Sequence, residues 1–552
     1  MKKSIHLVSI SFILLLLFSC EEPKPKTIIP PWETYDETNE LKQNEDHESA
    51  RMQYKLIQSK FLDKNEIWKN VQEQIAFFSE EDYENLKPLI LEQNIPTIQS
   101  NIEAGKLTYE KLTQWYLYRI VKFENNPEKS LHSIISLNPD AVAQARERDK
   151  HKSKDNHPIF GMPILLKDNI NTAEMKTTAG AHALMNNQTD DAFIVERIKE
   201  KGGIILGKAN LSEWAYYFCN GCPLGYSAIG GQTLNPYGRK NFETGGSSAG
   251  SGTTIAANYA VAAVGTETSG SIISPSSLNS VVGLKPTIGL LSRTGIVPIS
   301  STLDTPGPMT RNVIDNAIFL SAMSGEDATD SATKDNPKDV KYWEDFSKAS
   351  LKGLRLGVNK NFLTDSIYNL TIEKIKNEGA IVVEFEPEDM NFDGFRTFLN
   401  ADMKIDLPKY LSQQAGAGVK VKSVKDVVEH NLKDTLQRAP YGQGIFEGIV
   451  AEDISKADFE KLKLRFENDA RNYFNTPLDS LKLDAILSIN NYNSGHAAMA
   501  KYPCLTVPMG YKESGEPISL TFIAKTFEED KLLQIGYAFE QATKMRMKPE
   551  GY

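Results

Sequence analysis

Residues 244–253 read Thr-Gly-Gly-Ser-Ser-Ala-Gly-Ser-Gly-Thr, and a second such stretch, Gly265-Thr266-Glu267-Thr268-Ser269-Gly270-Ser271, follows shortly after. A loop rich in glycine and serine can turn several backbone N–H groups inward, which suits stabilisation of an anion. Between the two stretches, Ile255 to Ala260 has helical character and Val261 to Val264 reads as a strand, which a flexible linker would not carry. A phosphate loop requires G-x-x-x-x-G-K-[ST]. The nearest match, Gly202 to Lys208, is followed by Ala209, and its interior Gly203-Ile204-Ile205-Leu206 reads as a buried strand, so no nucleotide site is expected there.

Acyl transfer needs a nucleophile, a base for its proton and donors for the oxyanion. None of the eight histidines (His6, His47, His132, His151, His157, His182, His430, His496) lies in a G-x-S-x-G or other hydrolase context. A serine–lysine arrangement is the alternative to serine–histidine. Cys219-Asn220-Gly221-Cys222 is a C-x-x-C, but redox chemistry wants a thioredoxin-like setting and structural zinc wants two more ligands nearby. An incidental pair or a local disulfide is expected. Ser212, Ser248 and Ser274 are expected to be loop or cap serines, and His496 is a candidate lining residue of a substrate pocket.

The elements that must position these residues are short. Apolar, β-rich runs recur at Ile164 to Leu166, Ile204 to Leu206, Val261 to Val264, Leu354 to Val358, Ile381 to Val383, Ala485 to Ile489, Leu505 to Val507 and Leu520 to Ile523. Helical stretches separate them, which predicts an α/β fold with a mostly buried sheet and helices on both faces. Thr108 is placed to cap a helix whose apolar face is Leu112, Trp115, Tyr116 and Ile120. Thr526-Phe527-Glu528-Glu529 has the form of a capping box and predicts a last helix reaching about Lys544.

The chain has 552 residues, with 62 basic and 72 acidic side chains and a formal charge of −10, which argues against general nucleic-acid binding. Four cysteines exclude a disulfide scaffold. Lys2 and Lys3 precede an apolar run from Leu7 to Phe18, too short to span a membrane and of the form of a secretory signal. Leu17-Phe18-Ser19-Cys20 resembles a bacterial lipobox, which implies a signal peptide over 1–19, acylation of Cys20 and a membrane-anchored protein of the cell envelope. Residues 20–50 are expected to be an acidic, proline-containing tether, and 51–90 a helical extension ahead of one large domain over 91–552.

That domain resembles the amidase signature hydrolases from Ile98 to Tyr537. The matching stretches are Phe160 to Asn169, Thr178-Ala179-Gly180, Gly207 to Glu213, Gly245 to Ser248, Gly265 to Ser271, Val282 to Thr287, Asp304 to Met309 with Arg311, and Thr506 to Gly510. Thr266-Glu267-Thr268, Pro298-Ile299-Ser300 and Gly536 to Gln541 look most like bacterial peptide amidases, which deaminate C-terminally amidated peptides. The resemblance implies one domain with a mixed sheet covered by helices on both faces. It implies Ser271 as nucleophile, Ser247 as a bridging serine after a cis peptide bond, and Lys167 as general base. The backbone N–H groups of Thr268, Ser269, Gly270 and Ser271 would form the oxyanion hole. No metal or cofactor is called for.

The residues around Lys167 agree with this role, because the apolar run Pro163 to Leu166 leads straight into it. A lysine accepts a proton only when neutral, and desolvation lowers its pKa. Moving it from about 10.4 to near 7 costs about 4.6 kcal/mol. The alternative is a surface lysine paired with Asp168. Many members of the family carry Gly-Gly-Ser-Ile-Arg at the nucleophile, whereas this chain has Ser269-Gly270-Ser271-Ile272-Ile273. The missing arginine bears on substrate preference and weakens a reading as a tRNA amidotransferase subunit, as does export. Amide hydrolysis is the expected activity, on small or peptidyl amides. Esterase or urethanase action by the same residues, or an inactive surface-anchored binding protein, are the alternatives.

Overall fold

A computed structural model describes residues 25–338 and 340–552. The signal segment and Cys20 lie outside the described residues. Among the described residues eleven strands form one sheet: β1 (Ile134–Leu137), β2 (Pro163–Lys167), β3 (Ile204–Ala209), β4 (Ala262–Glu267), β5 (Val282–Lys285), β6 (Thr305–Thr310), β7 (Arg355–Asn359), β8 (Ile381–Phe385), β9 (Ala485–Ile489), β10 (Cys504–Tyr511) and β11 (Pro517–Ile523). Their order is β1-β3-β2-β4-β6-β5-β10-β11-β9-β7-β8. The sheet is mixed: β3-β2-β4 and β9-β7-β8 run parallel within each group, and the other neighbours are antiparallel.

All eight expected strand runs are strands. In β9, Leu487 and Ile489 join one buried cluster while Ile486 joins another; in β11, Phe522 and Ile523 divide the same way. Side chains alternate across a strand, so the sheet carries a core on each face. β1, β5 and β6 lie outside the expected runs; Ile-Ile-Ser-Leu in β1 and Val-Gly-Leu-Lys in β5 are apolar segments broken by a serine or a glycine. β6 reads Thr-Pro-Gly-Pro-Met-Thr, and two prolines and a glycine argue against a strand until neighbours on both sides fix it.

Thr108 caps the helix Tyr109–Glu124, accepting the Lys111 N–H at 3.1 Å. The expected capping box at Thr526 does not form. The last helix runs Glu529–Thr543 without a side-chain cap, because the Glu529 carboxylate accepts the Thr287 N–H instead. The small-residue helix covers Ala249–Ala256, earlier than expected, and stops before Asn258, whose φ is +59°.

The region read as a tether is packed from residue 25 onward. Lys26 and Thr27 donate their N–H groups to Ala76, and Ile29 and Trp32 donate to the side chains of Gln72 and Asn65. Lys64 Nζ sits 4.0 Å from the centre of the Trp32 ring. The acidic surplus that suggested disorder is partly neutralised: Glu40 pairs with Arg239 at 2.8 Å, and Glu37 accepts the Gln58 N–H. The helices Lys64–Ile75 and Glu80–Ile90 are not a separate layer, since Ile67, Trp68, Val71, Ile75 and Ile90 join the main core. Deleting residues 25–50 is therefore expected to lower the melting temperature by several degrees in a thermal scan. An unchanged melting temperature would restore the tether reading.

Candidate active site

Parallel pairing puts the carboxyl ends of β2 and β4 on one edge, with Leu166 opposite Val264. Open α/β sheets place ligands at that edge. Lys167 is the last residue of β2, and its four predecessors are buried. Its side chain is fully buried too. Nζ lies 2.8 Å from Ser247 Oγ, 2.8 Å from Thr266 Oγ1 and 3.1 Å from the Thr266 carbonyl oxygen. Asn169 Nδ2 donates to the same Thr266 hydroxyl at 3.0 Å. Among the described residues Lys167 forms no ion pair. Burial therefore dominates and pulls its pKa down to about 7, with the charges of Asp304 and Glu267 opposing the shift.

The neighbouring carboxylate has a different partner. Asp168 pairs with Lys208 at 3.4 Å, both side chains being fully buried. Lys208 also donates to the Ile170 carbonyl and to Thr177 Oγ1, while Thr178 donates to Asp168. The surface pairing of Lys167 with Asp168 does not occur.

Ser247 is fully buried, and the Gly246–Ser247 peptide bond is cis. The Ser247 carbonyl accepts the Ser212 N–H at 3.0 Å, and Ser212 Oγ accepts the Gly225 N–H at 2.8 Å. Ser248 donates through Oγ to the Thr266 carbonyl and through its N–H to the Ser271 carbonyl. Ser274 donates its N–H to Gly270. These three serines fasten loops. The helix that follows can approach only because position 250 is glycine: a Cβ there would fall 2.3 Å from the Asn210 carbonyl oxygen.

Ser271 is partly exposed, unlike Lys167 and Ser247. It ends the loop Thr268–Ser271 that leaves β4, and Gly270 turns that loop with a φ of +97°. Glu267 accepts the N–H groups of Ile272 and Ile273 at 2.7 and 3.0 Å. Among the described residues, by contrast, no acceptor takes the N–H of Thr268, Ser269, Gly270 or Ser271. A cleft of about 120 Å³ adjoins the loop, lined by Asn169, Thr266, Thr268, Val297 to Ser301, Asp304 and Pro306, with Asp406, Lys409 and Tyr410 from the helix Phe395–Gln413 across it.

His496 is not part of that lining. It packs on Tyr473 and Phe392 at ring distances of 4.3 and 4.9 Å, and burial lowers its pKa to about 4. Cys219 and Cys222 form a disulfide, and Cys504 is buried and free. Among the described residues no group of three or more metal-binding side chains converges, and no helix is long and apolar enough to cross a membrane. Asp304, whose carboxylate reaches both the Ser271 loop and the cleft wall, was not singled out by residue type or spacing.

Comparison with known proteins identifies the family of the chain. The profile of the family described as Amidase matches residues 111–533. A probable amidase of Arabidopsis thaliana is 38% identical over 481 residues, covering 84% of this chain and 92% of its own. An amidase family protein from Bacillus anthracis superimposes with a TM-score of 0.85 at 37% identity, over 90% of this chain and 99% of that one. The native peptide amidase from Stenotrophomonas maltophilia gives 0.78 at 36% identity, over 83% and 99%. The chain belongs to the amidase family and is an amide-hydrolysing enzyme.

Proposed function

We propose that this enzyme hydrolyses carboxylic or peptidyl amides through an acyl-enzyme on Ser271, with Ser247 as proton relay and Lys167 as base. The observation that carries the reading is the buried Lys167 amine, bonded to Ser247 and Thr266 and lacking an ion pair among the described residues. A neutral amine has two N–H bonds and one lone pair. With the N–H bonds directed to the two Thr266 oxygens, the lone pair faces the Ser247 hydroxyl.

In the acylation step the Ser271 proton passes to Ser247 as the Ser247 proton passes to Lys167, and Ser271 Oγ bonds to the amide carbon. The carbonyl oxygen takes the negative charge, and the free N–H groups of Thr268 to Ser271 supply its donors. The C–N bond then breaks, and the proton held on Lys167 returns along the relay to the leaving nitrogen. Water attacks the acyl carbon, gives its proton to the same relay and releases the acid, restoring Ser271. The peptide amidase among the structural relatives is also known in complex with the competitive inhibitor chymostatin, which supports a peptidyl acyl group. Ile273, where many members of the family have arginine, is fully buried and brings no cation to the site.

The test is ammonia release from N-acylated peptide amides and simple carboxamides. Ser271→Ala should lower kcat by at least about 10³-fold, and Ser247→Ala or Lys167→Met by about 10²- to 10⁴-fold. Lys167→Met should also melt a few degrees higher, because it removes an amine that must lose its proton and its hydration on burial. Full activity in Ser271→Ala would overturn the nucleophile. Cleavage of esters alone by the parent would move the reading to an esterase.

The site of action is proposed to be a bacterial cell envelope, with the chain held by lipid on Cys20. The lipobox-like sequence supports this, and so does the Cys219–Cys222 disulfide, since disulfides persist in oxidising compartments. Palmitate labelling of the full chain should be lost in Cys20→Ala. Equal labelling of the two would exclude the anchor.

A further inference from the structure

Asp304, the residue before β6, is buried, and its carboxylate is used as a three-way acceptor. Oδ1 accepts the Thr268 hydroxyl at 2.6 Å. Oδ2 accepts the N–H groups of Ile299 and Ser300 at 2.8 and 2.9 Å. Ser300 in turn donates its hydroxyl to Asp402 on the helix Phe395–Gln413. Among the described residues no cation pairs with Asp304, so the carboxylate is held by hydrogen bonds alone. Burial raises its pKa to about 6, against the hydrogen bonds from Thr268, Ser300 and Ile299, which lower it. Thr268 is the first residue after β4 and begins the loop that ends in Ser271. Thr268 and Asp304 both line the cleft, as do Ile299 and Ser300.

We infer that Asp304 is a positioning residue: its carboxylate clamps the Thr268 end of the Ser271 loop to the cleft wall at Ile299–Ser300. The clamp fixes the loop N–H groups relative to the cleft wall. This rests on the proposed acyl-enzyme chemistry at Ser271, with those N–H groups as its oxyanion donors. The Thr268 hydroxyl is the only part of the link on the loop side that a side-chain change can remove without altering the loop's length or its glycine. Such donors act through their placement, and an error of about 1 Å costs on the order of 10²-fold in rate.

The experiment is steady-state kinetics on the best amide substrate, with thermal melts to confirm folding. Thr268→Val keeps the shape and loses the hydroxyl. It should lower kcat by about 10- to 100-fold while KM stays within about threefold. Thr268→Ser, which restores the hydroxyl, should recover kcat to within about threefold. Asp304→Ala should lose at least as much as Thr268→Val, and the double variant should be no worse than Asp304→Ala alone. A Thr268→Val enzyme with parental kcat, a Thr268→Ser enzyme no better than Thr268→Val, or fully additive losses would each overturn the clamp. If Asp304→Ala does not fold, the valine and serine variants still decide the matter. Ser271→Ala measured alongside separates the two levels: if it is inactive while Thr268→Val is unaffected, only the clamp fails, and if it is active the underlying reading fails as well.

Discussion

The burial of one amine that has no counter-ion among the described residues governs the arrangement of this site. Lys167 Nζ has three oxygen contacts, two from Thr266 and one from Ser247, and none is a carboxylate. A fully buried ammonium in such a place is strongly disfavoured, whereas a neutral amine is satisfied by polar oxygens. The apolar strand that leads to Lys167 creates the desolvation, and Thr266 and Asn169 make the neutral form comfortable. Asp168, next along the chain, turns away to Lys208, so its charge is spent on a separate buried pair rather than on the base.

Around that amine, hydrogen bonds from side chains and backbone hold the loops in place. The parallel pair β2 and β4 delivers Lys167 and Thr266 to the same edge of the sheet. Glu267 consumes the N–H groups of Ile272 and Ile273, leaving those of Thr268 to Ser271 without protein acceptors among the described residues. Ser212 and Ser248 secure the segment that holds Ser247, and Asp304 reaches from the cleft wall to Thr268. Serines close to the centre lock the backbone, whereas Ser271 stays partly exposed at the end of its loop.

Much of this was legible in the sequence where one local rule decides. The apolar runs became strands because a buried strand needs little more than apolar content and short length. The Thr108 cap formed because its partner is three residues away. Legibility failed where distant residues decide. Thr526 has the right spacing for a cap, yet Glu529 is claimed by Thr287, 242 positions away. The acidic stretch before residue 50 looked unfoldable by composition, yet Arg239 and the helix Lys64–Ile75 supply its partners. The choice of Lys208 over Lys167 as the partner of Asp168, and the meeting of Thr268 with Asp304, belong to tertiary pairing and leave no periodic trace.

The most direct test of the neutral-lysine account is the rate at which a fluorophosphonate acylation mimic labels the full enzyme as a function of pH, with the adduct located by mass spectrometry. The mimic requires the same attack by the serine and the same removal of its proton. The account predicts a single adduct on Ser271, formed at a rate that climbs through about pH 7 and levels off above it, following deprotonation of Lys167. An adduct on another serine, or a labelling rate that does not change between about pH 5 and about pH 9, would contradict it.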